Sequence, residues 1–261
     1  MSQAKVGTFC WSETMTTDTK KTKDFYKAVF GWEFMEMPMP SGPAYTMWKV
    51  DGFERGGIYE LSKEQRAHNV PPHWSNYLFT DNVDKTTTKA ESLGATVLAA
   101  PLDVADVGRM SVLKDITGAQ FCLWQDKGKK PVKTPTAENV PGTIGWHELM
   151  TDNIEDAGKF YCDLFGWNIK AKKMNGSSYF EFLIGKEPVA GMVETQEDWG
   201  DMPSNWMPYL NTNNCETTCK KITKAGGKIV FPTHEVPKVG NIAVAQDSCG
   251  AYFALVQFTF N

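Results

Sequence analysis

Two glutamates occupy matched places in this chain. Glu13 follows Trp11 by two residues, and Glu148 follows Trp146 by two. Residues two apart on a strand point to the same face, so each pair would present an indole and a carboxylate together. A carboxylate on a partly desolvated face can carry a raised pKa and serve as general acid or base. An indole beside it can stack on a planar ligand. Glu13 and Glu148 are therefore the candidate catalytic residues, and Trp11 and Trp146 candidate ligand-binding residues. The alternative is structural: the carboxylates hold backbone amides or an arginine, and the indoles fill a core.

Further candidates for a binding face are Glu60 and Glu194, Tyr77 and Tyr209, Cys122 and His147. The tyrosines could donate a hydroxyl to a ligand. Of the four histidines, only His147 falls on a predicted strand near such a face. His68 and His73 fall in a proline-containing loop and read as surface residues. No H-x-x-x-H or H-E-x-x-H spacing is present, and no phosphate-binding glycine loop, dinucleotide fingerprint or G-x-S-x-G elbow. The expectation is a site with no metal and no cofactor.

The elements that must position these residues come from an internal duplication. Trp11 to Trp32 reads WSETMTTDTKKTKDFYKAVFGW, and Trp146 to Trp167 reads WHELMTDNIEDAGKFYCDLFGW, with 9 of 22 positions identical at an offset of 135. Tyr45, Gly57 and Glu60 recur as Tyr179, Gly191 and Glu194 at an offset of 134. Tyr77, Asp115, Gly118, Phe121, Leu123 and Gln125 recur at an offset of 132. A repeat of this length is one supersecondary assembly copied once.

Within each copy the pattern is strand, helix, three strands, stated twice. In the first, Cys10 to Met15 reads as a strand, Asp18 as an N-cap and Lys20 to Val29 as a helix stopped by Gly31. Strands are predicted over Glu33–Met37, Tyr45–Val50 and Gly57–Leu61. The pattern restarts with Ser75–Phe79, a helix capped by Asp81 or Asn82 and ended by Gly94, and three more strands. The second copy has helices near Glu155–Leu164 and Cys215–Ala225. Residues 127–142, rich in lysine and proline, read as a linker between domains at 1–126 and 143–261.

Composition is that of an ordinary globular protein: 41% hydrophobic and 22% charged residues over 261. A net charge of −4 and a pI near 5.7 give no basic face for nucleic acid. No apolar stretch reaches membrane-span length, so a cytoplasmic protein is expected. The six cysteines make no C-x-x-C pair and read as reduced thiols.

The order of motifs resembles the glyoxalase / bleomycin-resistance / extradiol-dioxygenase superfamily, also called vicinal oxygen chelate. The residues that carry the likeness are the T-x-D turn, the helix ending in DFYKAVFGW or KFYCDLFGW, the glycine-rich hairpin and the D-x-x-G-x-x-F-x-L-x-Q run. The resemblance implies an α+β fold of two tandem domains. Each would have two βαβββ units whose sheet curls around a pocket. It also implies metal-ligand positions, which fall on Trp11, Glu60, Ser75 and Cys122, and on Trp146, Glu194, Met207 and Ala254. Each set holds one good ligand for a hard divalent ion. The preferred expectation is a protein that binds or transforms a small organic molecule without metal, as a monomer or homodimer. A ligand-sequestering resistance protein is one alternative, and a metal-dependent lyase or dioxygenase with an atypical ligand set is another.

Overall fold

The computed structural model describes residues 4–39, 43–127, 139–174, 177–196, 199 and 202–259. Most of the expected linker lies outside them. The first repeat runs β1 (Phe9–Thr16), α1 (Thr19–Phe30), β2 (Glu33–Met37), β3 (Tyr45–Val50), β4 (Phe53–Glu60), α2 (Lys63–Ala67), β5 (His73–Phe79), α3 (Val83–Ser92), β6 (Thr96–Val104), β7 (Gly108–Lys114) and β8 (Gln120–Asp126). The second runs β9 (Ile144–Thr151), α4 (Ile154–Phe165), β10 (Asn168–Met174), β11 (Ser177–Ile184), β12 (Glu187–Glu194), β13 (Asn205–Asn211), α5 (Cys215–Lys224), β14 (Lys228–Val236), β15 (Gly240–Gln246) and β16 (Tyr252–Phe258). The expected βαβββ order thus holds four times. One five-residue helix, α2, adds to it through a Ser62–Gln65 capping box that the sequence reading did not single out.

The helix boundaries follow from capping chemistry. Asp18, Asn82, Asn153 and Asn214 each accept from the backbone N–H three residues on, at 2.8–3.0 Å. Each such cap is worth about 1 kcal/mol. Gly31 and Gly166 close α1 and α4 in the left-handed region, at φ 75° and 72°. The glutamine that ends the D-x-x-G-x-x-F-x-L-x-Q run caps a helix from the side. Gln125 Oε1 accepts from Val83 N at 3.0 Å, and Gln257 Oε1 from Cys215 N at 3.1 Å.

Each repeat forms one eight-stranded mixed sheet, ordered β2-β3-β4-β1-β5-β8-β7-β6 in the first and β10-β11-β12-β9-β13-β16-β15-β14 in the second. Both orders end in edge strands, so the sheets are open. The strand β1 runs parallel to β4 with Glu13 opposite Gly57, and β9 runs parallel to β12 with Glu148 opposite Gly191.

The chain forms two compact units, and each draws on both repeats. One contains residues 1–10, 76–136 and 146–206. Here α3 packs with α4, and the core includes Leu78, Phe121, Phe160, Tyr161, Phe182 and Trp206. The other contains residues 11–75, 137–145 and 207–261. Here α1 packs with α5, around Phe25, Tyr26, Trp32, Trp48, Ile222 and Phe253.

The helix motifs are structural in both units. Tyr161 of α4 donates to Asp115 Oδ2 at 2.9 Å, and Tyr26 of α1 donates to Asp247 Oδ2 at 3.3 Å. The other oxygen of Asp115 accepts from Thr117 N, Thr117 Oγ1 and Ala119 N. That of Asp247 accepts from the N–H groups of Cys249, Gly250 and Ala251. Burial raises the pKa of both carboxyls despite these bonds.

Candidate functional site

In the unit that contains residues 11–75, candidate residues meet in a hydrogen-bonded chain. Trp11 Nε1 donates to Tyr45 Oη at 2.9 Å, and Tyr45 Oη donates to Glu13 Oε1 at 2.6 Å. The predicted alternation holds: Trp11 and Glu13 lie on one face of β1, and Tyr45 reaches them from β3. Tyr45 crosses the intervening strand because Gly57 has no side chain. A Cβ built on Gly57 would lie 2.1 Å from Tyr45 Oη and 3.0 Å from Glu13 Cγ.

The other unit repeats the arrangement on the strands of the second repeat. Trp146 Nε1 donates to Tyr179 Oη at 3.0 Å, and Tyr179 bonds to Glu148. A Cβ on Gly191 would lie 2.1 Å from Tyr179 Oη. Glu148 is buried, whereas Glu13 is half-buried. Burial pushes both phenols well above their ordinary pKa, and the neighbouring carboxylate adds to the effect. The tyrosines stay neutral and keep their protons for the glutamates. Each chain therefore offers an indole face, a neutral phenol and a carboxylate fixed by that phenol.

The remaining candidates sit elsewhere. Glu60, at the end of β4, pairs with Arg66 at 3.0 Å and accepts from Thr19 Oγ1 at 3.2 Å. Its counterpart Glu194 is exposed at the end of β12. Tyr77 is buried opposite Cys122 in the β5–β8 register, with its ring edge-on to Trp124 at 6.4 Å. Tyr209 is buried opposite Ala254. Between Trp146 and Glu148, the side chain of His147 takes the opposite face of β9. It stacks on Phe9 at 3.9 Å between ring centroids, and burial lowers its pKa to about 3. His73 is not in a loop, as expected from the neighbouring prolines. It opens β5, half-buried, and burial lowers its pKa as well.

Sequence reasoning did not name Tyr45 and Tyr179 as site residues. Their recurrence at the same offset as Gly57 and Gly191 was the available signal. It becomes chemical only once the register sets each glycine between tyrosine and glutamate.

The donor set does not suit a divalent ion. The polar atom of each indole, in Trp11 and Trp146, is spent on a tyrosine, and Glu60 is engaged by Arg66 and Thr19. Met207 and Ala254 offer no hard donor. Among the described residues no three His, Cys, Asp or Glu side chains converge as metal ligands. A surface depression of about 430 Å³ lined by Asp18, Lys20, Lys21, Asp24, Phe25, Ala28 and Ala225 lies along α1. It contains none of the residues of the Trp–Tyr–Glu chains.

Comparison with known proteins agrees with this fold. Residues 11–124 match the family of glyoxalase-like domains, and residues 143–255 match the Glyoxalase/Bleomycin resistance protein/Dioxygenase superfamily. The chain is 31% identical over 258 residues to CFP32 of Mycobacterium tuberculosis, which carries a glyoxylase name, covering 98% of this chain and 97% of that protein. It is 29% identical over 269 residues to the anthracycline biosynthesis protein DnrV of Streptomyces peucetius, covering 98% and 95%. Among solved structures it superimposes on a Mn(II)-bound glyoxalase from Novosphingobium aromaticivorans with a TM-score of 0.61 at 14% identity, covering 99% of this chain and 84% of that one. The 2,3-dioxygenase LapB from Pseudomonas sp. KL28 gives a TM-score of 0.60 at 11% identity, covering 98% and 93%. These two likenesses are of fold. The chain belongs to the glyoxalase/bleomycin-resistance/dioxygenase superfamily, and both of its repeats carry that domain.

Proposed function

We propose that this protein binds a small planar organic compound on the strand faces that carry the Trp–Tyr–Glu chains, and that Glu13 or Glu148 exchanges a proton with it without a metal ion. The observation that supports this reading is the recurrence of one hydrogen-bonded chain, with its obligatory glycine, in both units. Here an indole face and a carboxylate are held together beside a neutral phenol, which is the equipment for stacking and proton transfer. Tyr45 donates to one oxygen of Glu13 and fixes the plane of its carboxylate. The similarity to DnrV over nearly the whole chain supports an aromatic ligand.

Family domains at 1–126 and 143–261, a cytoplasmic setting and a monomeric or homodimeric state complete the proposal. No described helix is long and apolar enough to cross a membrane.

The test is a thermal-shift and fluorescence screen against planar phenols and quinones, with metal content measured on protein never exposed to chelators. Binding by members of this class, with turnover or affinity lost in the double variant Glu13→Gln/Glu148→Gln, is the expected result. A stoichiometric transition metal, or no response to any planar compound, would refute the proposal.

A further inference from the structure

The two Trp–Tyr–Glu chains are set in different surroundings. Across β2, β3, β4 and β1, the register puts Met35 opposite Met47, Met47 opposite Gly57, and Gly57 opposite Glu13. Across β10, β11, β12 and β9, it puts Lys170 opposite Glu181, Glu181 opposite Gly191, and Gly191 opposite Glu148. Residues in such a row share one face. One step along, Met37 stands opposite Tyr45, and Lys172 opposite Tyr179. Three thioethers in the first repeat thus correspond to two lysines and a glutamate in the second. Lys172 pairs with the buried carboxylate of Glu181. Lys49 Nζ lies 3.5 Å from Met35 Sδ at the outer end of the methionine row.

The physical consequence differs for the two faces. Thioethers are polarisable, adapt to irregular outlines and pack well against aromatic rings. A neutral ring laid on Met35, Met37 and Met47 covers apolar surface. The same ring laid on the second row would strip water from the Lys172–Glu181 pair and return no hydrogen bonds to it.

We propose that the two faces have divided in specificity. The first-repeat face takes a neutral planar aromatic compound, Met35, Met37 and Met47 set that preference, and the second-repeat face rejects the same compound. The inference rests on the ligand class proposed above and adds which copy takes it and why.

Calorimetric titration with quinizarin, a neutral dihydroxyanthraquinone, separates the possibilities. One equivalent should bind the wild-type chain. Met47→Glu should weaken that binding about tenfold or more, and Met47→Leu should retain it. Should Met47→Glu fail to fold by circular dichroism, Met35→Lys applies the same change at the half-buried edge strand. Converting the second row (Lys170→Met/Lys172→Met/Glu181→Met) should raise the stoichiometry to two. Two equivalents in the wild type would overturn the division and leave the ligand class standing. One equivalent insensitive to Met47→Glu or Met35→Lys, or a triple variant that stays at one, would also overturn it. No binding of quinizarin would overturn the division, while the screen of planar phenols and quinones decides separately on the ligand class.

Discussion

The phenol of Tyr161 donates to the buried carboxylate of Asp115 at 2.9 Å, and in doing so ties a helix of the second repeat to the β7–β8 turn of the first. The same phenol accepts from Trp206 Nε1 at 2.7 Å. Tyr161→Phe removes one hydroxyl and leaves two buried groups short of a partner. Each such loss costs roughly 1–3 kcal/mol. Chemical denaturation should show a fall of about 2–4 kcal/mol with an unchanged m-value. A loss below ~0.5 kcal/mol would mean that water replaces the phenol.

Because each compact unit is assembled from both repeats, the halves should not fold alone. Expressed separately, residues 1–126 and 143–261 lack the partner helices that cover α1, α3, α4 and α5. Each fragment should lack a cooperative thermal transition as a monomer, and mixing them should restore one. A monomeric, cooperatively melting 1–126 fragment would show that the sheet of one repeat is sufficient.

Gly57 and Gly191 should resist substitution for a reason that can be isolated. A methyl at Gly57 collides with Tyr45 Oη, which must move and break its bonds to Trp11 and Glu13. Gly57→Ala should cost about 1–3 kcal/mol, the usual range for overpacking. Removing the hydroxyl first relieves part of the clash, so Gly57→Ala should cost less in a Tyr45→Phe background. A double-mutant cycle measures that difference, and strict additivity would exclude the collision as the cause.

His147 should make stability depend on pH. Its folded pKa is lowered to about 3 by burial against an ordinary value of 6.5. As pH falls below the unfolded value, the unfolded chain takes up a proton and the folded chain does not. Stability is therefore fully present above about 6.5, declines as pH falls towards 3, and levels off below. His147→Phe, which preserves a ring to stack on Phe9, should show a shallower decline over that window. Parallel curves for the two proteins would mean that the imidazole is protonated in the folded state.

Much of the architecture was legible in the residues. The caps Asp18 and Asn82, the stop at Gly31 and the pairing of Trp11 with Glu13 on one face are local consequences of spacing, and they stand as read. What stayed hidden depends on partners distant in sequence. Tyr26 and Asp247 both belong to recurring motifs, but periodicity cannot tell a helix which repeat will cover it. The role of Tyr45 depends on a glycine in the next strand, and the contrast between Met47 and Glu181 gains meaning only from register. His73 was misjudged because the prolines before it suggest a loop, although the strand begins immediately after them.

The crossed tyrosine–aspartate pairs bear on heredity as much as on folding. After duplication, a spare gene copy is ordinarily free to decay. Here Tyr26 answers to Asp247 and Tyr161 to Asp115, so damage to either copy is felt in the half that remains intact. With each copy bonded to the other in this way, the redundancy that lets one duplicate wander does not apply to these four residues. The strand rows are where the two copies differ, with Met47 opposite Gly57 in one and Glu181 opposite Gly191 in the other.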